Sequence, residues 1–122
     1  MMEIFVPTTP GELIDKLTIP RLKSEKMTDA AKLVNVYHEM AVLSQTATAA
    51  IPMSPALRAL WDELYEINAD LWVIQDDIRA FEAKSDFGPG FIGLARAVYV
   101  SNDERARVKK NINLLLVSQI VE

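Results

Sequence analysis

Glu63, Glu66, Asp70 and Asp77 step by three, four and seven residues, which puts their carboxylates on one face if the segment is helical. Asp62, Asp76, Glu82 and Asp86 thicken the acidity, opposed only by Arg79 and Lys84. Carboxylates in register at this spacing suit Mg²⁺ or Mn²⁺, hard cations that take oxygen ligands and keep waters for a phosphate substrate. Glu63, Glu66 and Asp70 are the candidate ligands. Charge of the other sign gathers later, at Arg96, Arg105, Arg107, Lys109 and Lys110. Ser101-x-x-Glu104 has the letters of a capping box, so a last helix is expected to open there. Asn102 would then sit where free backbone N–H groups favour anions. Arg96, Asn102, Arg105, Lys109 and Asn113 form the candidate anion site, with Arg105 and Lys109 as phosphate clamps. Both zones also have a plainer reading, which we favour: acids beside an apolar seam pair with bases on a neighbouring helix.

Other chemistry has less to stand on. The chain has no cysteine, which excludes disulfides, thiolate nucleophiles and Cys-ligated metals. His38 is the only histidine and has no evident partner, so His-based triads are absent and a surface or packing role is expected. FGPGF lacks the lysine and spacing of a phosphate-binding loop.

The elements that position these residues are helices. Leu60, Leu64, Ile67, Leu71, Ile74, Ile78 and Phe81 alternate four and three apart, a heptad seam that predicts one long helix from Ser54-Pro55 to about Ala83. Thr9, Pro10 and Glu12 predict the start of a first helix, with a kink expected at Pro20. Thr28 is the expected cap of a second helix running to about Ala50, with Leu33, Val36, Met40, Leu43 and Ala47 as its buried edge. The segment SDFGPG ends the long helix, Gly88 being suited to a positive φ and Pro89 barring continuation. A short helix is expected from about Gly90 to Tyr99. The last helix then buries Val108, Ile112 and Leu115. Residues 2–7 have strand character and would pack over the helices or pair with another copy. The expected fold is all-α: one domain over residues 1–122, an antiparallel bundle of three long helices plus shorter ones, with a short extended N-terminal segment.

Composition narrows the partners. A net charge of −4 argues against a general nucleic-acid binder, and no segment is apolar enough to span a membrane. Glu3 and the lack of a basic region argue against a signal peptide, so a cytoplasmic protein is expected. Trp61 and Trp72 fall outside the strict seam positions, where they widen the core or anchor another subunit.

Two resemblances add to this. Glu63-x-x-Glu66 resembles one half of the paired acidic motif of the all-α NTP pyrophosphatases of the MazG-like group. The second half, Glu-x-x-Asp on the following helix, is missing, and Glu12-x-x-Asp15 lies upstream, in the wrong order. More of the chain is covered by the other. PGELIDKLTI, LWVIQDDIRAFE, FGPGFIGLARAVYVSNDERARVKKNIN and the closing SQIVE resemble, in order, a family of small bacterial and viral proteins catalogued as a domain of unknown function. That resemblance implies an all-helical fold and no activity, cofactor or partner. The positions it matches are Gly11, Glu12, Asp15, Lys16, Asp77, Arg79, Phe87, Gly88, Arg96, Tyr99, Asn102, Asp103, Arg105, Lys109 and Asn113. Their clustering on the first and last helices implies a shared surface where Asp15 or Glu12 meets Arg105 or Lys109. Pro20 departs from the aliphatic residue the family pattern implies there, and relatives run slightly past the position of Glu122.

These readings lead to a non-enzymatic helical interaction module, with a homo-oligomer or a helical protein as partner and no cofactor expected. The alternative is a Mg²⁺- or Mn²⁺-dependent nucleotide pyrophosphohydrolase-like enzyme, or a binder of phosphorylated metabolites.

Overall fold

Thr9 opens the first helix as its spacing predicts. Its hydroxyl accepts the Glu12 N–H at 3.3 Å, its carbonyl accepts the Leu13 N–H at 3.1 Å, and Pro10 takes the first helical position. The computed structural model describes residues 2–121, with side chains as far as Val117. Among these there are four helices and no strand: α1 (Pro10–Lys26), α2 (Ala30–Ala50), α3 (Pro55–Ala83) and α4 (Pro89–Val121). Ser54 caps α3 by accepting the Leu57 N–H at 3.1 Å. Asp29, rather than Thr28, caps α2, accepting from Ala31 and Lys32.

Three further local expectations are corrected. α4 is one 33-residue helix rather than a short helix followed by a second, so the 101–104 capping box does not form and Asn102 lies in a helix interior. The reason is packing. Leu94, Val98, Ser101, Arg105, Val108 and Ile112 keep three- and four-residue spacing across the expected break, and all are at least half-buried. A continuous buried edge outweighs the local preference of a serine for a cap. Gly88 does not take a positive φ: Ser85 does, at 53°, as the turn after α3 closes with Asp86 N–H donating to the Phe81 carbonyl at 2.9 Å. Pro89 bars continuation of α3 as expected and also opens α4. Residues 2–9 form no strand, because no edge is present for them to pair with. α1 runs through Pro20 to Lys26, and the ring at Pro20 is fully buried.

The buried edge of α3 includes Leu57, Leu64 and Leu71, seven residues apart, with Leu60 and Ile67 half-buried beside them. Ile14 of α1 and Val108, Ile112 and Leu116 of α4 close this core. Leu116 is buried where Leu115 was expected; Leu115 packs at the margin. A second cluster joins Leu13 and Leu17 to Ala47 of α2, and Trp61 packs against both. α1 is thus the central helix, touching α2 on one side and the α3–α4 pair on the other. At 1.5 Å per residue α4 spans about 50 Å and α1 about 25 Å. The far half of the α3–α4 pair consequently projects with less cover, and Ile74, Ile78 and Phe81 there are only half-buried.

Candidate functional site

Asp15 points from α1 into the seam between α3 and α4 and is 4% exposed. Arg105 grips it with two hydrogen bonds, Nε to Oδ1 at 2.8 Å and Nη2 to Oδ2 at 2.5 Å. Asn68 of α3 donates its Nδ2 to Asp15 Oδ1 at 2.9 Å and to Thr18 Oγ1 at 2.7 Å. Thr18 donates in turn to the Asp15 carbonyl at 2.7 Å. Three helices therefore meet on one carboxylate. Burial pushes the Asp15 carboxyl upward, but hydrogen bonds from Arg105 and Asn68 and the charges of Arg105 and Lys109 outweigh it. The net effect holds it below its ordinary range, and the same pairing raises the Arg105 guanidinium. No buried side-chain nitrogen or oxygen among the described residues lacks a partner.

The contact continues along α1 and α4. Lys109 Nζ donates to Glu12 Oε1 at 2.8 Å, and the Gly11 N–H donates to Asn113 Oδ1 at 2.7 Å. Glycine is required at position 11 by proximity: a Cβ would stand 2.5 Å from the Lys109 carbonyl oxygen and 3.0 Å from Asn113 Oδ1. Thus Glu12, Asp15, Arg105, Lys109 and Asn113 do come together, and each cation meets an anion of this chain. A carboxylate held in this way is a clamp between helices, poorly placed to act as a base.

The other candidates are scattered. Glu63 accepts from Arg107 at 2.8 Å, and Arg107 also bonds Glu104 at 3.0 Å. Glu66 and Asp70 are exposed on α3. Among the described residues no group of three His, Asp or Glu side chains is placed to hold a metal ion. Asn102 and Asp103 are exposed midway along α4, Lys16 is exposed on α1, and Asp77 is exposed on α3. Arg79 pairs with Asp76 at 2.9 Å. His38 is exposed on α2, and Trp72 is half-buried. The closing SQIVE segment lies outside the residues whose side chains are described.

Sequence reasoning missed two features. Asn68 lies four residues after Leu64 and three before Leu71, a polar residue set into the buried edge, and that placement was the available signal. Tyr65 donates its hydroxyl to Glu25, while Arg21 lies 3.7 Å over its ring. That hydrogen bond raises the Tyr65 phenol above its ordinary value, and burial adds to it. This cluster ties α3 to the end of α1 and has no sequence signature.

Two apolar hollows lie outside this network. One, of ≈ 420 Å³, lies between α1, the end of α2 and α3, walled by Leu17, Ala47, Ile51, Met53 and Trp61. The other, of ≈ 450 Å³, is an open groove on α4 formed by Phe91, Ile92, Ala95, Arg96, Tyr99 and Val100. Tyr99 is 70% exposed, and Ile92, Val100 and Phe87 are more than half exposed. Arg96, an anion candidate by sequence, is the one charge in that groove.

Among the described residues no helix is long and apolar enough to cross a membrane. No curated protein and no solved structure matches the chain. Residues 4–122 match DUF6165, described as a family of unknown function, and the chain belongs to that family.

Proposed function

We propose that this chain is a non-enzymatic helical interaction module that self-associates through the projecting half of the α3–α4 pair. The exposed apolar ridge of Ile92, Tyr99 and Val100 on α4, with Phe87 in the turn before it, carries this reading. Contiguous apolar surface of this kind on a charged chain marks an interaction site. The clamp around Asp15 supports it indirectly, because the motif residues that invite a catalytic reading serve to hold α1 on α3 and α4. An antiparallel α3–α4 arrangement fits Phe81 lying beside Gly90 and Glu63 reaching Arg107. With a net charge of −4, the partner is protein rather than nucleic acid, and the absence of cysteine suits the cytoplasm.

Amide hydrogen exchange at two protein concentrations tests the reading. Residues 91–100 exchange more slowly at the higher concentration, while α2 is unchanged. Equal exchange along all of α4 at both concentrations would remove the support for association through this face.

A further inference from the structure

The described residues include two dense runs of exposed apolar side chains, set far apart. One is the N-terminal arm, where Met2, Ile4, Phe5 and Val6 are all more than two-thirds exposed and Phe5 reaches 90%. The other is the α4 groove around Arg96. Each holds a single charged side chain, Glu3 in the arm and Arg96 in the groove, and the signs are opposite.

One copy cannot join them. The Gly11 hydrogen bond to Asn113 fixes the start of α1 near the far part of α4. From Asn113 back to Arg96 is 17 helical residues, about 25 Å. Glu3 lies six residues before Thr9, at most about 20 Å of extended chain, and Phe5 reaches only about 14 Å. The near edge of the groove, Val100, is 13 helical residues or about 20 Å from Asn113. Gly11 meets Asn113 and Asp15 meets Arg105, so α1 runs antiparallel to α4 and the arm leaves Thr9 heading away from the groove. To approach its own groove the arm must first double back, and the residues spent on that reversal leave Ile4, Phe5 and Val6 short of it.

We propose that the arm of one copy docks into the α4 groove of a second copy. Ile4, Phe5 and Val6 cover the surface between Phe91 and Val100, and Glu3 pairs with Arg96. Reciprocal exchange gives two identical contacts about a two-fold axis, which closes the assembly as a dimer rather than a filament. This rests on the self-association reading and names its partner surface.

The absence of cysteine makes a direct test clean. The chain carrying Met2→Cys and Ala95→Cys, both exposed positions and neither among the arm's three covering residues, is treated with a short bis-maleimide, separated by denaturing gel and mapped by peptide mass spectrometry. The natural chain and the variant are both sedimented before treatment. A covalent dimer joined between positions 2 and 95 is the expected result. Charge reversal adds a second readout: Glu3→Arg or Arg96→Glu alone weakens association several-fold, and the double reversal restores it. A 2–95 link inside one chain overturns the proposal. A dimer with no 2–95 link overturns the arm's role and leaves self-association standing. A natural chain that stays monomeric overturns both.

Discussion

Arg105 and Asp15, 90 residues apart in sequence, form a two-pronged ion pair that closes α4 onto α1, with Asn68 of α3 holding the same carboxylate. The pair is asymmetric in cover: the Asp15 side chain is 5% exposed and that of Arg105 28%. Asp15→Ala leaves a guanidinium facing an apolar seam and removes one of the two acceptors of the Asn68 amide. The expected loss is about 3 kcal/mol, the low end for a buried pair because Arg105 retains contact with water. Urea unfolding measures it. The double variant Asp15→Ala/Arg105→Met loses less than the sum of the two single changes, since neither charge is left alone. Strict additivity would show that the two side chains do not act as a unit.

The depressed Asp15 pKa sets a pH dependence. The folded value lies below the unfolded one, about 3.9, so the pair's contribution is complete above that pH and is lost as pH falls through the folded value. Melting temperature is therefore expected to fall below about pH 4 more steeply for the natural sequence than for Asp15→Asn. Parallel profiles for the two proteins would assign the acid loss to other groups.

Two glycines with opposite surroundings separate close approach from helix propensity. Gly11→Ala forces a Cβ against the Lys109 carbonyl, a backbone atom that cannot swing away, and should cost about 1–3 kcal/mol. Gly93→Ala meets nothing within 4 Å inside α4 and should gain about 0.5–1 kcal/mol from the lost flexibility of glycine. Chemical denaturation midpoints of the two variants are predicted to move in opposite directions.

The acidic face of α3 offers no converging cation site among the described residues, and Glu63 is engaged by Arg107. Adding Mg²⁺ or Mn²⁺, with or without nucleotides, is expected to leave the melting temperature unchanged. A bound ligand at a hundred times its dissociation constant would add about 2.7 kcal/mol, which a thermal melt detects readily. A metal-dependent rise abolished by Glu66→Ala would revive the pyrophosphohydrolase reading.

Much of this arrangement was legible in the sequence, and its gaps have physical causes. Ser54-Pro55 and the spacing from Leu60 to Phe81 gave the bounds of α3, because a capped start followed by a long regular seam leaves one solution. The meeting of Glu12 and Asp15 with Arg105 and Lys109 followed from opposite charges on two helices that match one family pattern. The continuity of α4 was hidden because Ser101 and Glu104 satisfy a local rule that the buried edge from Leu94 to Ile112 overrides. Asn68 escaped notice because its role exists only where Asp15 and Thr18 arrive from α1. The turn after α3 placed its positive φ at Ser85, where the carbonyls of Phe81 and Glu82 must be reached, three residues before the glycine that composition favoured.

Self-association through α4 is tested most directly by sedimentation velocity across a range of concentrations, comparing the natural chain with Ile92→Asp. Ile92 is 55% exposed and outside both core clusters, so the variant keeps the natural fold. The natural chain is predicted to sediment as a dimer that dissociates on dilution, and the variant as a monomer at every concentration. A natural chain that remains monomeric throughout, or a variant that associates equally well, would contradict the account.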